Sequence, residues 1–133
     1  MQIKMKTDKQ EKGRLGEDAV CAELEKRGHT IICRNFHKRC GEIDIISKTD
    51  SFIVFTEVKT RKYNSLISGL EAVNSAKQRK IILTADAYLT ENPTDLQPRY
   101  DIAEVTISRD APVVTRIDIY EDAFSTDGIY TVN

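Results

Sequence analysis

Residues 41–61 read Gly-Glu-Ile-Asp-Ile-Ile-Ser-Lys-Thr-Asp-Ser-Phe-Ile-Val-Phe-Thr-Glu-Val-Lys-Thr-Arg, and this stretch decides the fold. Ile43, Ile45 and Ile46 form one apolar run, Phe52 to Phe55 form a second, and the polar Lys48-Thr49-Asp50-Ser51 separates them. Two β-branched or aromatic runs around a short polar segment predict a β-hairpin. Three charged residues sit inside it: Asp44, Glu57 and Lys59. Side chains alternate faces along a strand, so Glu57 and Lys59, two apart, share a face. With Asp50-Ser51 as a two-residue loop, Asp44 lies opposite Glu57 and Glu42 opposite Lys59. A longer loop or a bulge would shift this, and Asp-Ser is a weak two-residue turn signal. Like charges directly opposite each other destabilise a ladder. The simple register therefore asks for something positive between the carboxylates: a divalent cation, the Lys59 ammonium, or both. Hard cations such as Mg²⁺ take carboxylate and carbonyl oxygens.

Upstream of the hairpin, a helix is predicted from about Lys9 to Arg27, stopped by Gly28. Gly13 and Gly16 inside it each cost about 1 kcal/mol against alanine, and glycines on one helix face allow close approach of a backbone or ligand. Glu17 shares its side with Val20, Cys21 and Leu24. A carboxylate on a partly apolar face needs a partner, which is either a metal site over the hairpin or a basic side chain. Thr30 to Phe36 reads as a strand, and Arg34 to Arg39 as a basic loop leading into the hairpin.

Downstream, Thr60 to Ser68 reads as a polar loop with Arg61, Lys62 and Tyr63, and Gly69 to Val73 as a short helical turn. Ser75 and Gln78 fit a capping box for a helix to about Glu91, ending before Pro93. Its apolar stripe is Ile81, Ala85, Tyr88 and Leu89, with Ile82 alongside. Lys77, Arg79 and Lys80 near its start oppose the helix dipole by ~0.3–1 kcal/mol each. A bound phosphate would offset that, and plain solvation is the alternative. Two alternating strands follow, Arg99 to Ser108 and Val113 to Tyr120, with Arg99 and Asp101 read as a structural ion pair or a hairpin-facing hydrogen bond. The acidic tail from Glu121 has two aromatics, Phe124 and Tyr130, that could dock on a partner. Residues 1–8 and about 121–133 are expected to be flexible. The order α-β-β-β-α-β-β makes an α/β domain, a mixed central sheet flanked by helices.

Asp44 followed by Glu57-Val58-Lys59 resembles the D…ExK core of the PD-(D/E)XK nuclease superfamily. Gly13-Arg14-Leu15-Gly16-Glu17-Asp18-Ala19, Arg34-Asn35, Gly41-Glu42-Ile43-Asp44, Glu57-Val58-Lys59-Thr60-Arg61 and Arg99-Tyr100-Asp101 together resemble the YraN-like family. That family consists of small bacterial predicted endonucleases, distantly similar to archaeal Holliday junction resolvases. The resemblance runs from about Lys12 to Val105. One departure is Ile43, not Pro, before Asp44, and that Pro is often missing in the superfamily.

The resemblance implies a restriction-endonuclease-like fold and a metal-dependent endonuclease acting on DNA, with branched or structured DNA as a candidate substrate. Asp44 and Glu57 would hold Mg²⁺ or Mn²⁺, with the Val58 carbonyl as an extra ligand. Lys59 would orient the attacking water or neutralise phosphoryl oxygens. Glu17 is a further catalytic and metal candidate, and Glu42 a supporting one. Arg34, Lys38, Arg61, Lys62, Lys77, Arg79 and Lys80 are the candidates to grip phosphates. No base-reading motif stands out, so recognition by backbone shape is expected. A homodimer would let two sites cut both strands. The alternatives are a nucleic-acid-binding module that does not cut, and a structural protein in which Asp44, Glu57 and Lys59 form only an ion-pair network.

A chain of 133 residues is expected to be one domain with a single core. Its net charge of −1 speaks against nucleic acid, but the charge is unevenly spread. Residues 1–85 hold 17 Lys/Arg against 11 Asp/Glu, and residues 86–133 hold 3 against 10. A basic face with an acidic back is therefore open to the fold. No apolar run approaches the ~18 residues that span a bilayer. Three cysteines (Cys21, Cys33 and Cys40) without an apolar signal core suggest reduced thiols and a cytoplasmic setting. With His29 and His37 they form no C-x-x-C pair, so the zinc signal is weak.

Overall fold

In the structure, a computed structural model, residues 8–62 and 73–126 are described. The loop expected over Tyr63 to Ser68, the turn expected from Gly69, and Tyr130 lie outside the described residues, as does the side chain of Lys62. The elements are α1 (Asp8–Lys26), β1 (Thr30–Lys38), β2 (Gly41–Lys48), β3 (Phe52–Lys62), α2 (Ser75–Glu91), β4 (Gln97–Ile107) and β5 (Val114–Phe124). The strands form one sheet in the order β1-β2-β3-β4-β5. Neighbours are antiparallel except β3 and β4, which run parallel and are linked through α2. This is an α/β fold with a mixed sheet, in the order read from the sequence and consistent with a restriction-endonuclease-like fold.

The β2–β3 hairpin keeps the two-residue register. Ile45 pairs with Thr56, Ile46 with Phe55, Ser47 with Val54 and Lys48 with Ile53. The turn is closed by the Thr49 N–H donating to the Phe52 carbonyl at 2.9 Å. Thr49 Oγ1 accepts from the Phe52 N–H at 3.0 Å. That hydroxyl supplies the local bond that Asp-Ser lacks as a turn former. The ladder stops at Ile45, however. The expected pairings of Asp44 with Glu57 and Glu42 with Lys59 are absent, and Glu42 pairs instead with His37 on β1.

Two apolar clusters sandwich the sheet. Ile81, Ile82, Ala85 and Tyr88 of α2 pack on Ile43, Ile46, Ile53, Phe55, Tyr100 and Ile102. Val20, Cys21 and Leu24 of α1 pack on Ile45, Ala103, Val105 and Ile107. Phe124, expected in a free tail, closes the first cluster: β5 runs through it, and its ring stacks on Tyr100 at 5.4 Å. It is buried in its own core and does not present a docking surface.

Other boundaries differ from the sequence reading for local reasons. β1 continues through His37 and Lys38, paired with Glu42 and Gly41, so only Arg39 and Cys40 form a turn and the expected basic loop is mostly strand. Thr60 to Lys62, expected in a loop, remain in β3, paired with β4. The α2 cap is Asn74, not Ser75: its Oδ1 accepts from the Lys77 N–H at 3.0 Å, while Gln78 Nε2 donates to the Val73 carbonyl. Asn and Ser are comparable N-caps, so register among neighbours is settled by packing. Gly28 ends α1 with φ of +92°, as expected. Of the two helix glycines, only Gly16 meets a neighbour: a Cβ there would lie 2.9 Å from Thr60 Oγ1, whereas nothing lies within 4 Å of one at Gly13. Gly16 thus lets α1 lie close on β3 and sets Glu17 beside the hairpin. Among the described residues, no helix is long and apolar enough to cross a membrane.

Candidate active site where the hairpin strands part

The break in the β2–β3 ladder is filled by a side chain. Asp44 Oδ2 accepts from the Val58 N–H at 2.8 Å. On the other side, β1 carries Asn35 with φ of +54°, between the pairs Arg34–Ile45 and Phe36–Ile43. A non-glycine residue in that region is uncommon, and such irregularities concentrate at functional sites. Asp44 therefore sits where both neighbouring strands depart from regular pairing.

Burial pushes the Asp44 carboxyl up to about 7, helped by the Glu57 carboxylate and opposed by the Val58 N–H, with Glu17 and Glu42 adding smaller upward effects. Glu57 is 4% exposed, yet its Oε1 lies 3.2 Å from Lys59 Nζ and 3.5 Å from Lys77 Nζ. The like-charge conflict anticipated in the sequence is thus met by two ammonium groups, one from β3 and one from the first turn of α2.

Glu17 joins from α1. Its carboxyl is raised chiefly by burial, lowered by Arg34, and raised again by Glu42, Asp18 and Glu57. Asn35 bridges it to β2: with its amide nitrogen facing the carboxylates, Asn35 Nδ2 donates to Glu42 Oε1 at 3.1 Å and to Glu17 Oε1 at 3.0 Å. Sequence reading assigned Asn35 no role. An Asn inside a strand, a residue tolerant of the left-handed region, was the available signal.

The basic candidates separate into groups. Lys77 reaches the Glu57 carboxylate. Arg79 and Lys80 are exposed on the same end of α2. Arg34 pairs with Asp18 at 2.8 Å, beside Glu17. Arg61 donates from Nη1 to Glu104 Oε1 at 2.9 Å, and Glu104, 2% exposed on β4, was missed in the sequence because it sits in an apolar strand. Lys38 lies away from the site, paired with Glu91 at the far end of α2 and over the Phe36 ring. Arg99 and Asp101 form the structural pair expected: Nε and Nη2 donate to the two Asp101 oxygens at 3.0 and 2.9 Å, and Oδ1 also accepts from the Asp122 N–H.

Among the described residues, no three His, Cys, Asp or Glu groups converge closely enough to hold a metal ion by themselves. Asp44 and Glu57 remain a two-carboxylate set, with the Val58 backbone beside them. Mg²⁺ typically retains several waters and binds through one or two carboxylates plus substrate phosphates, so this donor set fits such an ion. Burial and, after it, the Glu57 carboxylate raise Asp44, and a cation there would favour the ionised form against both.

This fold, with Asp44, Glu57 and Lys59 gathered at the parting of a hairpin, defines a PD-(D/E)XK-like protein of the YraN type. The profile of the uncharacterised protein family UPF0102 matches residues 16–105, and the chain belongs to that family. A UPF0102 protein of Desulforapulum autotrophicum is 44% identical over 124 residues, 92% of this chain and 100% of its own length. Relatives from Syntrophotalea carbinolica and Caldanaerobacter subterraneus subsp. tengcongensis are 38% and 36% identical, covering 87% and 90% of this chain and 93% and 98% of theirs.

Proposed function

We propose that the protein is a metal-dependent deoxyribonuclease that hydrolyses phosphodiester bonds, with branched or structured DNA as the substrate class. The observation that carries this reading is the Asp44–Glu57 pair: a buried Glu57 paired with Lys59, and a half-buried Asp44 whose carboxyl burial and Glu57 both raise, where the hairpin opens. A fold does not need such a pair, and natural cores avoid it unless it serves a purpose.

When bound, Mg²⁺ or Mn²⁺ supplies Lewis acidity and a water of lowered pKa. Asp44 and Glu57 would hold the cation, with Asp44 oriented by the Val58 N–H. Lys59 would orient the attacking water or neutralise charge developing on the phosphoryl oxygens. Glu17, steadied by Asn35, would accept a hydrogen bond from a water at the site's edge. Lys77, with Arg79 and Lys80 behind it, would grip flanking phosphates at the start of α2. Two copies would cut both strands of a branched substrate.

The test is cleavage of linear, flapped and four-way DNA with Mg²⁺, Mn²⁺ or EDTA, beside Asp44→Asn and Lys59→Ala. Metal-dependent cutting that falls by on the order of 10²-fold or more in each variant is expected. Cutting unchanged in both would sink the assignment. The Lys59–Glu57–Lys77 pairs favour a second reading, an ion-pair network that is structural only. Absence of both DNA affinity and Mg²⁺ binding would establish that one, and salt-sensitive DNA binding without cutting would establish a binding module.

A further inference from the structure

Glu57 has two ammonium groups within 3.5 Å, and they are not equivalent. Lys59 lies two residues along the same strand and shares the face of Glu57, so its backbone keeps it next to that carboxylate. Lys77 comes from another element. Its backbone N–H is fixed by the Asn74 cap, and its side chain reaches across from the first turn of α2. On local grounds that ammonium is misplaced. The first turn of α2 holds no acidic residue. The N-terminal end of a helix carries partial positive charge, which disfavours a cation and attracts an anion. Glu57 is the anion that holds it there. The Lys77 side chain is 40% exposed, so it can leave without becoming a buried, unpaired charge.

We propose that Lys77 is a displaceable stand-in for the divalent cation. Its ammonium sits on Glu57 until a metal ion takes that carboxylate, and the released ammonium then binds a nucleic-acid phosphate at the start of α2. The idea rests on the metal-dependent reading above and deepens it. A dication on Glu57 repels the Lys77 ammonium, while a phosphate is drawn by the dication, the ammonium and the helix end together. Metal and phosphate then bind cooperatively, and because the coupling is thermodynamic each raises the affinity of the other by the same factor. Lys77 acts as a positioning residue that exchanges one anion for another.

The test is Mn²⁺ binding to the whole chain, followed by the spin-resonance signal of free Mn²⁺ at fixed pH and ionic strength. It compares wild type, Lys77→Gln, Glu57→Gln and Lys48→Gln, the last removing the same charge at the hairpin's closed end. Lys77→Gln is expected to bind Mn²⁺ about two- to fivefold more tightly than wild type, the scale of losing one partly exposed competing ion pair. Lys48→Gln should change little, and Glu57→Gln should lose binding. Short duplex DNA should raise Mn²⁺ affinity less in Lys77→Gln than in wild type. Equal or weaker Mn²⁺ binding by Lys77→Gln, with Glu57→Gln still defective, overturns the stand-in role and leaves the metal site standing. Binding unaffected by Glu57→Gln, or absent from wild type, overturns both. A purely structural Lys77 would give no gain in metal affinity.

Discussion

Replacing Asp44 by Asn should make the metal-free protein more stable at neutral and alkaline pH. Asp44 is displaced from an ordinary value of 3.8 to about 7, by burial first and by Glu57 second. The folded state therefore holds the proton more tightly than the unfolded chain. The resulting stabilisation is complete below pH ~4 and is lost as pH rises through about 7. About three pH units at 1.36 kcal/mol each set a ceiling of roughly 4 kcal/mol on what the ionised carboxylate costs at pH 8. Asn keeps an acceptor for the Val58 N–H, so the hydrogen bond that fills the ladder gap survives. It also takes an anion away from Lys59 and Lys77, which offsets part of the gain. A net stabilisation of about 1–3 kcal/mol at pH 8 follows, a Tm rise of roughly 3–10 °C for a chain of this size. The assay is thermal or urea unfolding of both proteins from pH 4 to 9 in EDTA. The difference should grow with pH and vanish near pH 4. A variant less stable than wild type at pH 8, with no pH trend, would refute the reasoning. Adding Mg²⁺ should then stabilise wild type more than the variant, by mass action on the state that binds it.

Two further substitutions test the scaffold around the site. In α1, Gly13→Ala should stabilise by about 1 kcal/mol, because nothing crowds a Cβ there, whereas Gly16→Ala should destabilise, because its Cβ would meet Thr60 Oγ1 at 2.9 Å. Urea midpoints moving in the same direction for both would contradict the close approach of α1 to β3. At Asn35, →Ala should cost about 1–3 kcal/mol, combining the left-handed backbone with the lost bridge between Glu17 and Glu42, and →Gly should recover about 1 kcal/mol of it. Equal losses for Ala and Gly in denaturant titrations would show that the backbone conformation contributes nothing.

Much of the architecture was legible because it rests on patterns within short windows. The hairpin register followed from two apolar runs and the length of the polar segment between them, and four pairs obey it. The helices followed from their stripes and from Gly28. What local pattern could not supply was where regularity ends. Nothing in Glu42-Ile43-Asp44 announces that β2 pairs with β3 only from Ile45 onward, since that depends on Asn35 across the sheet on one side and on Val58 on the other. The same limit explains Phe124: its place in the core depends on stacking with Tyr100, 24 residues earlier. Within the site, Asp44, Glu57, Lys59 and Glu17 were all named from spacing or resemblance, and the structure brings them together. Glu104 and the grip of Lys77 on Glu57 required the β3–β4 register and the position of α2, both long-range.

The charge asymmetry along the chain gains a spatial meaning from the topology. Because the sheet order repeats the chain order, residues early in the sequence build one side of the sheet and late residues the other. The basic first 85 residues supply α1, β1, β2, β3 and the start of α2, where Arg34, Lys59 and Lys77 lie by the carboxylates and Arg79 and Lys80 are exposed on the same end of α2. The acidic remainder supplies β4 and β5, where Asp118, Glu121 and Asp122 lie on or beside the edge strand. A swapped or interleaved strand order would have mixed these charges and erased the field that the near-neutral total conceals. The carboxylates of the site are thus set in the basic part of a polarised molecule. That arrangement lowers the cost of gathering several anions at one place.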